Sequence, residues 1–233
     1  MPATLQPIKD GSLKTQVFHT LREAIFTGTF QGGDALREAH LARDLSVSQA
    51  TVREALVGLE HVGLVVRVPN KGTYVARLTA TEVRERLAIR ARLEEMAWLE
   101  AAPRMTPRHF DKLGEYLSAI AEAIESNAYF EEAQADLDFH RYIWRQSGNE
   151  TLYGLLNQLT IPLFSFVGIK RGRSQETLKE VVASHESVVK ALQSRDPATI
   201  KRVLDQHLEL FQAIPEPALD GPDPAKRERA ARA

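Results

Sequence analysis

Hydrophobic residues recur at helical spacing in three separate stretches near the start of the chain. Over residues 13–27 apolar side chains return every three or four positions, and the same period appears over residues 38–45 and 48–63. This spacing puts the apolar residues of each stretch on one face, which predicts three amphipathic helices. Ser48 begins the third stretch, where its hydroxyl can cap the free N–H groups of the first turn.

A short hairpin is predicted directly after the third helix. Residues 64–68 are rich in valine, residues 69–72 have the sequence PNKG, which is typical of a turn, and residues 73–75 form a second short strand. Three helices followed by a hairpin predict a winged helix-turn-helix, which we assign to residues 13–76 and call the head. Residues 77–81 are then expected to be a hinge.

The remainder of the chain shows only the helical period. Six helices are predicted, at about residues 81–102, 107–124, 129–146, 150–169, 175–193 and 197–214. They favour an antiparallel six-helix bundle over residues 82–214, with a kink at Pro162, so the fold class is mainly α. Residues 1–12 are expected to be a flexible leader. Residues 215–233, rich in proline, alanine and charge, are expected to be a disordered tail.

The composition limits the possible cellular location of the protein and the kinds of metal and nucleic-acid binding that it can support. The 233 residues include no cysteine, which excludes disulfides and thiolate metal sites. We find neither a secretion signal nor an apolar run near the ~18 residues of a membrane helix, so we expect a cytoplasmic protein that does not enter a membrane. The formal net charge of −1 excludes a polycation that binds nucleic acid through charge alone.

The third helix of the head carries a polar face opposite its apolar one. Gln49, Thr51 and Arg53 lie near the N-terminus of this helix, where side chains and backbone N–H groups can contact phosphates and base edges. The alternative for any one of them is an ordinary solvated side chain. Their shared position on the second helix of a helix-turn-helix favours DNA binding.

The run VSQATVREALVGLEHVGLVVRVPNKGTYVA, together with residues 33–38, resembles the winged helix-turn-helix of the GntR family of bacterial transcription regulators. The resemblance implies DNA contacts from the third helix and from the wing tip. The candidate DNA-binding residues are Arg37, Ser48, Gln49, Thr51, Arg53, Lys71 and Gly72. The family often has arginine where this chain has Gln49. Because glutamine pairs with adenine and arginine with guanine, we expect the operator to differ from those of relatives.

Four polar residues of the predicted bundle have spacing that suits metal ligands. Asp136 and His140 lie one helical turn apart, so both side chains point the same way, and His185 and His207 fall beside apolar positions of the last two helices. A carboxylate with three imidazoles suits zinc, nickel, manganese or iron. The alternative is that these histidines are ordinary core or surface residues. We expect the other four, which are His19, His40, His61 and His109, to be surface or hydrogen-bonded groups.

The same four residues carry a second resemblance. An Asp-x-x-x-His pair, a histidine 45 residues later and another 22 residues beyond it are similar to the metal-binding pattern of the FadR C-terminal domain (FCD), in its short VanR-like form. The run Arg90–Glu94 resembles the R-x-x-L-E signature of that domain's first helix. The implied ligands of a divalent zinc, nickel or manganese ion are Asp136, His140, His185 and His207. Arg90 would bind the carboxylate of an effector. The alternative for Arg90 is a salt bridge on the helix surface, for instance with Glu94.

Together these features predict a ligand-responsive transcription regulator. We expect a homodimer, because two heads on a pseudo-palindromic double-stranded DNA operator combine their affinities. The family resemblance favours a repressor that responds to a small carboxylic acid. Two alternatives stay open: a metal-dependent enzyme with a DNA-binding head, and a pure metal sensor. We find no nucleophile motif and no acid or base beyond the proposed ligands, so we expect no enzymatic activity.

Overall fold

The computed structural model describes residues 12–170 and 175–212, and within these ranges the chain is mainly helical with one small sheet. This confirms the predicted fold class. The predicted tail at residues 215–233 and all but the last residue of the predicted leader, residues 1–12, lie outside the described ranges. None of the described helices is long and apolar enough to cross a membrane.

The head has the predicted three helices and hairpin. The elements are α1 (Leu13–Phe26), α2 (Glu38–Asp44), α3 (Gln49–His61), β1 (Val65–Val68) and β2 (Gly72–Val75). The strands are antiparallel, with Val65 opposite Val75 and Val68 opposite Gly72. Asn70 and Gly72 adopt positive φ angles of 61° and 118° in the turn, which is why small or flexible residues stand there.

Helix α3 is the centre of the head. Its buried residues Val52, Ala55, Leu56 and Leu59 follow the predicted helical spacing, and they face α1, α2 and β1, which all pack against this helix. The burial of this apolar stripe fixes which face of α3 remains exposed.

Six further helices form the bundle. They are α4 (Ala80–Ala101), α5 (Pro107–Glu125), α6 (Tyr129–Gln146), α7 (Glu150–Lys170), α8 (Gln175–Ser194) and α9 (Pro197–Gln212), with a short 3-10 helix (Ala102–Arg104) after α4. Helix α4 is central because it packs against α6, α7 and α9. Helix α7 continues through Pro162, whose missing N–H removes one hydrogen bond of the helix.

The sequence allowed helix α4 to begin at either Thr79 or Thr81, and the structure selects Thr79 as the capping residue. The Thr79 hydroxyl accepts a hydrogen bond from the Glu82 N–H, and the Glu82 carboxylate accepts one from the Thr79 N–H. This capping box fixes the start of the helix. Two residues of the predicted hinge at 77–81, Ala80 and Thr81, therefore lie in the helix.

The head packs directly against the bundle. Buried residues of both parts form one continuous hydrophobic cluster. The rings of Phe26 and Phe130 meet edge to face, with their centroids 5.9 Å apart. A Cβ added to Gly63 would lie 3.0 Å from Pro162 Cγ. These contacts connect the head to α6 and α7.

Candidate functional site

The exposed face of α3 carries the residues that were predicted to contact DNA. Gln49 and Arg53 are exposed, and Thr51 is half-buried. Ser48 caps the helix as predicted, because its Oγ accepts a hydrogen bond from the Thr51 N–H at 3.1 Å and lies 2.8 Å from Thr51 Oγ1. The cap holds the first turn of α3 in place, and with it the backbone of Gln49.

Arg53 is held by a contact that the sequence did not predict. Glu38, the first residue of α2, accepts hydrogen bonds from Arg53 Nε at 3.0 and 3.2 Å and from Nη2 at 2.7 Å. The two residues are 15 positions apart on different helices, so no local pattern pairs them. The side chain of Arg53 is still 59% exposed, against 26% for Glu38, and remains accessible to a partner.

The wing completes this surface. A cavity of about 330 Å³ lies between α2 and the hairpin, and Arg37, Glu38, Lys71 and Gly72 are among the residues that line it. The Tyr74 hydroxyl donates a hydrogen bond to the Lys71 carbonyl at 3.1 Å, which steadies the wing tip. The structure therefore brings Arg37 together with the predicted wing residues.

The three predicted histidines of the bundle meet at its centre. One ring nitrogen from each of His140 (α6), His185 (α8) and His207 (α9) lies within 4.8 Å of the other two, and all three residues are buried. The Nε2 atoms of His207 and His140 are 3.1 Å apart. Oδ1 of Asp136 lies 3.0 Å from His185 Nε2 and 3.4 Å from His140 Nε2. Asp136 thus contacts two members of the histidine cluster.

These separations fit one metal ion. Nitrogen and oxygen ligands at roughly 2.0–2.2 Å from a tetrahedral or octahedral ion lie about 3.0–3.5 Å from one another. The observed distances of 3.0, 3.1 and 3.4 Å fall within that range. Three imidazoles and one carboxylate are donors that suit zinc, nickel or manganese.

Contacts outside the cluster turn the Nε2 atoms toward its centre. The Nδ1–H of His185 donates to the Val181 carbonyl at 2.8 Å. Nδ1 of His140 lies 3.2 Å from Glu94 Oε2. Nδ1 of His207 lies 2.7 Å from a serine hydroxyl of α8. When Nδ1 is engaged in this way, Nε2 is the nitrogen left to bind a metal.

Arg90 is buried in α4 and paired with Glu94. Its Nε donates to Glu94 Oε1 at 2.6 Å, and its guanidinium carbon lies 5.4 Å from the centroid of the Phe164 ring. The alternative interpretation of Arg90 was a salt bridge with Glu94 on the helix surface. The salt bridge with Glu94 is present, but it lies in the core. Because Glu94 also approaches His140, it connects Arg90 to the histidine cluster.

Charges within the cluster oppose the effect of burial. Burial would raise the pKa of Asp136, but nearby positive charge, chiefly that of His185, lowers it to about 2. Burial would lower the pKa of His185, but the Asp136 carboxylate raises it. Burial and the neighbouring histidines both lower the pKa of His207, so this imidazole keeps a lone pair for a metal at neutral pH.

Three aromatic residues that the sequence analysis did not select surround the cluster. The ring centroids of Trp98, Trp144 and Phe164 lie 6.4, 6.0 and 6.2 Å from that of His140. Trp144 follows His140 by four residues, and Trp98 follows Glu94 by four. Because residues four positions apart lie on the same face of a helix, this spacing could have predicted that the two tryptophans lie near the cluster.

Two family models match the chain. The model for bacterial regulatory proteins of the gntR family matches residues 13–75, and the FCD domain model matches residues 85–210. The second match includes Arg90 and the four proposed metal ligands.

Similar proteins include named repressors of bacterial operons. The chain is 28% identical to the probable D-xylose utilization operon transcriptional repressor of Paenarthrobacter nicotinovorans, over 91% of this chain and 92% of that protein. It is 25% identical to the gluconate operon transcriptional repressor of Bacillus subtilis, over 88% of this chain and 86% of that protein. The solved structure of E. coli McbR/YncC shares the fold, with a TM-score of 0.73 and 24% identity over 87% of this chain and 98% of that one.

Proposed function

Because the chain belongs to the GntR family of bacterial regulatory proteins and carries an FCD domain, we propose that it is a repressor whose hold on DNA is controlled by a small organic acid. The family consists of DNA-binding transcription regulators rather than enzymes, which agrees with the expectation from the sequence. The proposal adds a divalent metal, an acid bound beside it and a homodimer.

The buried polar cluster is the observation that carries this proposal. Arg90, Glu94, Asp136 and the three histidines come from four helices and are all at most 4% exposed. Removing an ion from water costs several kcal/mol, so buried charges in a protein core are weak evidence of a purely stabilising role. They are common at binding sites. Together they support a ligand site in the centre of the bundle.

Different residues of the cluster would bind different groups of the acid. A divalent ion held by the histidines and Asp136 would supply coordination positions for carboxylate or hydroxyl oxygens. The guanidinium of Arg90 supplies the positive charge that favours a carboxylate. The aromatic rings of Trp98 and Phe164 limit access of water, so the electrostatic attraction is stronger than at the surface.

The relatives suggest which acids to try first. One is named for D-xylose utilization and another for a gluconate operon. D-gluconate combines a carboxylate with neighbouring hydroxyls, which are the groups that the Arg90 guanidinium and a divalent ion would bind. D-xylose offers the hydroxyls without the charge and serves as the neutral comparison.

Helix α7 offers a physical route from the cluster to the head. Its residue Phe164 packs against Arg90 and the His140 ring. Two positions earlier, Pro162 contacts Gly63, which follows the C-terminal end of α3. An acid that displaces Phe164 would therefore shift the helix on which the head rests. Such a shift makes two arrangements of the heads possible, one with the acid and one without. The acid changes DNA binding only if it has different affinities for these two arrangements.

Two features support a homodimer: the small number of base contacts that one head can make, and an exposed apolar face on α4. One head offers few base contacts, whereas two heads on related half-sites add their contacts. Ile89 and Met96 are large, exposed apolar residues seven positions apart on α4, so they lie on one face that a second copy can cover. A monomer mass by sedimentation equilibrium at micromolar concentration would contradict this part of the proposal.

A thermal-shift screen tests the proposed function. The protein is heated with D-gluconate, D-xylose and simple mono- and dicarboxylic acids, each with added metal and again with a chelator. An acid at 100 times its Kd should add about 2.7 kcal/mol to the free energy of unfolding, and this gain should vanish with the chelator. Stabilisation by metal alone, with no response to any acid, would instead favour the metal sensor.

A further inference from the structure

We propose that Glu38 is a positioning residue that directs Arg53 to a guanine base of the operator and away from general phosphate binding. This inference rests on the proposed role of Arg53 in contacting DNA. Glu38 was not among the residues predicted to contact DNA, and it acts here through Arg53 rather than by touching a base itself.

The hydrogen bonds to Glu38 determine which edge of the guanidinium is left for DNA. The carboxylate takes the edge formed by Nε and Nη2, with contacts at 3.0, 3.2 and 2.7 Å. Arginine has five N–H donors in a planar fork. The second edge, formed by Nη1 and Nη2, still presents two parallel N–H groups. Two parallel donors are what a bidentate contact to guanine O6 and N7 requires.

The salt bridge between Arg53 and Glu38 also restricts the motion of Arg53. An exposed arginine samples many rotamers, and part of its binding energy is lost when one of them is selected. The carboxylate of Glu38 anchors the guanidinium to α2, so the two helices of the helix-turn-helix hold one side chain between them. Arg53 therefore meets the major groove with its direction already set.

The charge of Glu38 opposes binding to DNA of arbitrary sequence. It lines the same cavity as Arg37 and Lys71, so a negative group stands beside two basic residues that are predicted to contact DNA. Phosphates repel it, and while paired it neutralises Arg53 toward distant phosphates. The pair thus lowers non-specific affinity and leaves the short-range base contact intact, which raises discrimination.

The test compares two substitutions that remove the same charge. Glu38→Gln removes the negative charge and one of the two acceptor oxygens that hold Arg53. Glu54→Gln is the matched control, because Glu54 lies on α3, is exposed and, among the residues that the structure describes, pairs with Lys14 at 3.8 Å rather than with Arg53. A duplex selected by the wild-type protein from a random library and a scrambled duplex of the same length serve as probes. Affinity is measured for both duplexes over a range of salt concentrations.

Glu38→Gln should reduce the ratio of selected to scrambled affinity roughly tenfold for each head bound to the duplex, the order expected for one bidentate base contact. The slope of log K against log salt on the scrambled duplex should steepen by about 0.9 for each bound head, since Arg53 is released to a phosphate. Glu54→Gln should leave the ratio near the wild-type value. Equal behaviour of the two variants on both duplexes would overturn the inference.

Two further variants separate this inference from the proposed role of Arg53. If Arg53→Ala leaves operator affinity unchanged, the assignment of the DNA-contacting face fails. If Arg53→Ala weakens binding but Glu38→Gln matches Glu54→Gln, only the positioning role fails. In the double variant Glu38→Gln, Arg53→Ala, the Glu38 substitution should have no further effect on discrimination, because it acts through Arg53.

Discussion

Replacing His185 with alanine should remove most of the stabilisation that a divalent metal gives to this protein. His185 Nε2 lies 3.0 Å from Asp136 Oδ1, and its Nδ1–H donates to Val181, so the ring is held in the orientation that a metal ligand needs. With metal at 100 times the wild-type Kd, binding adds about 2.7 kcal/mol to the free energy of unfolding. For a protein of this size that corresponds to a Tm increase of roughly 5–11 °C.

The variant should show only a small part of that increase. Loss of residues that merely support a metal ligand lowers affinity by about 10–100-fold, and loss of a ligand should lower it at least as much. At 100-fold weaker affinity the same metal concentration equals the Kd, and the gain falls to about 0.4 kcal/mol, or roughly 1–2 °C.

The assay is thermal unfolding with zinc, nickel or manganese and again with a chelator. The quantity compared is the difference between the two conditions, because His185→Ala also opens space beside Phe139, whose ring centroid is 4.9 Å away, and lowers stability without metal. His40→Ala, at an exposed position of the head, is the control and should keep the full increase. A full metal-dependent increase in His185→Ala would show that the ligand set is wrong.

Three other perturbations give independent tests. Arg53→Ala should weaken operator binding by roughly 1–3 kcal/mol and leave Tm nearly unchanged, because the side chain is exposed; normal operator affinity would refute its role. Gly63→Ala should lower Tm by roughly 2–8 °C, because φ is +75° and the new Cβ would meet Pro162 Cγ at 3.0 Å; an unchanged Tm would refute the close packing. Without metal, the raised pKa of His185 stabilises the fold below its unfolded pKa, and this stability is lost as pH rises through the higher folded pKa. The lowered pKa of Asp136 stabilises the fold at pH values above 3.8, the usual pKa of this carboxyl, and that contribution is lost as the pH falls toward about 2. Because the lowered pKa of His207 has the opposite effect between pH 6 and pH 8, the test uses the His207→Ala variant with chelator. This variant should be less stable at pH 8 than at pH 6, and a rise over that interval would contradict the pairing of His185 with Asp136.

Most secondary structure was predictable because each element buries one face. Val52, Leu56 and Leu59 of α3 follow the helical period and are fully buried, and the two strands of the wing flank a turn that glycine and asparagine make favourable. The start of α4 was less certain from the pattern, because Thr79 and Thr81 are both suitable caps and only the capping box with Glu82 selects the first.

The candidate metal site was only partly predictable from local spacing. Asp136 and His140 lie one turn apart, so their common direction follows from helix geometry. Their approach to His185 and His207 depends on how α6, α8 and α9 pack, and the sequence supplied that only through the family resemblance. The expectation for the other histidines is confirmed: three are exposed, and one accepts a hydrogen bond at the start of α5. These are His19, His40, His61 and His109.

Contacts between distant polar residues could not be predicted. Arg90 and Glu94 interrupt the apolar face of α4, yet both are fully buried because each neutralises the other in the core. The hydrogen bonds from Arg53 to Glu38 depend on the angle between α2 and α3. Sequence periodicity locates buried faces, but it does not specify which charged side chains meet.

The most direct test of the central claim is the affinity of the protein for its selected duplex, measured by fluorescence anisotropy with and without the organic acid that gives the largest stabilisation in the thermal-shift screen. Each titration is made with added divalent metal and again with a chelator. We predict that, with metal present, this acid weakens DNA binding by roughly 5–150-fold, the usual range of coupling between two sites. It should have no effect with the chelator or on the Arg90→Lys variant. An affinity that is identical in all of these conditions would contradict control of the repressor by a metal-assisted organic acid.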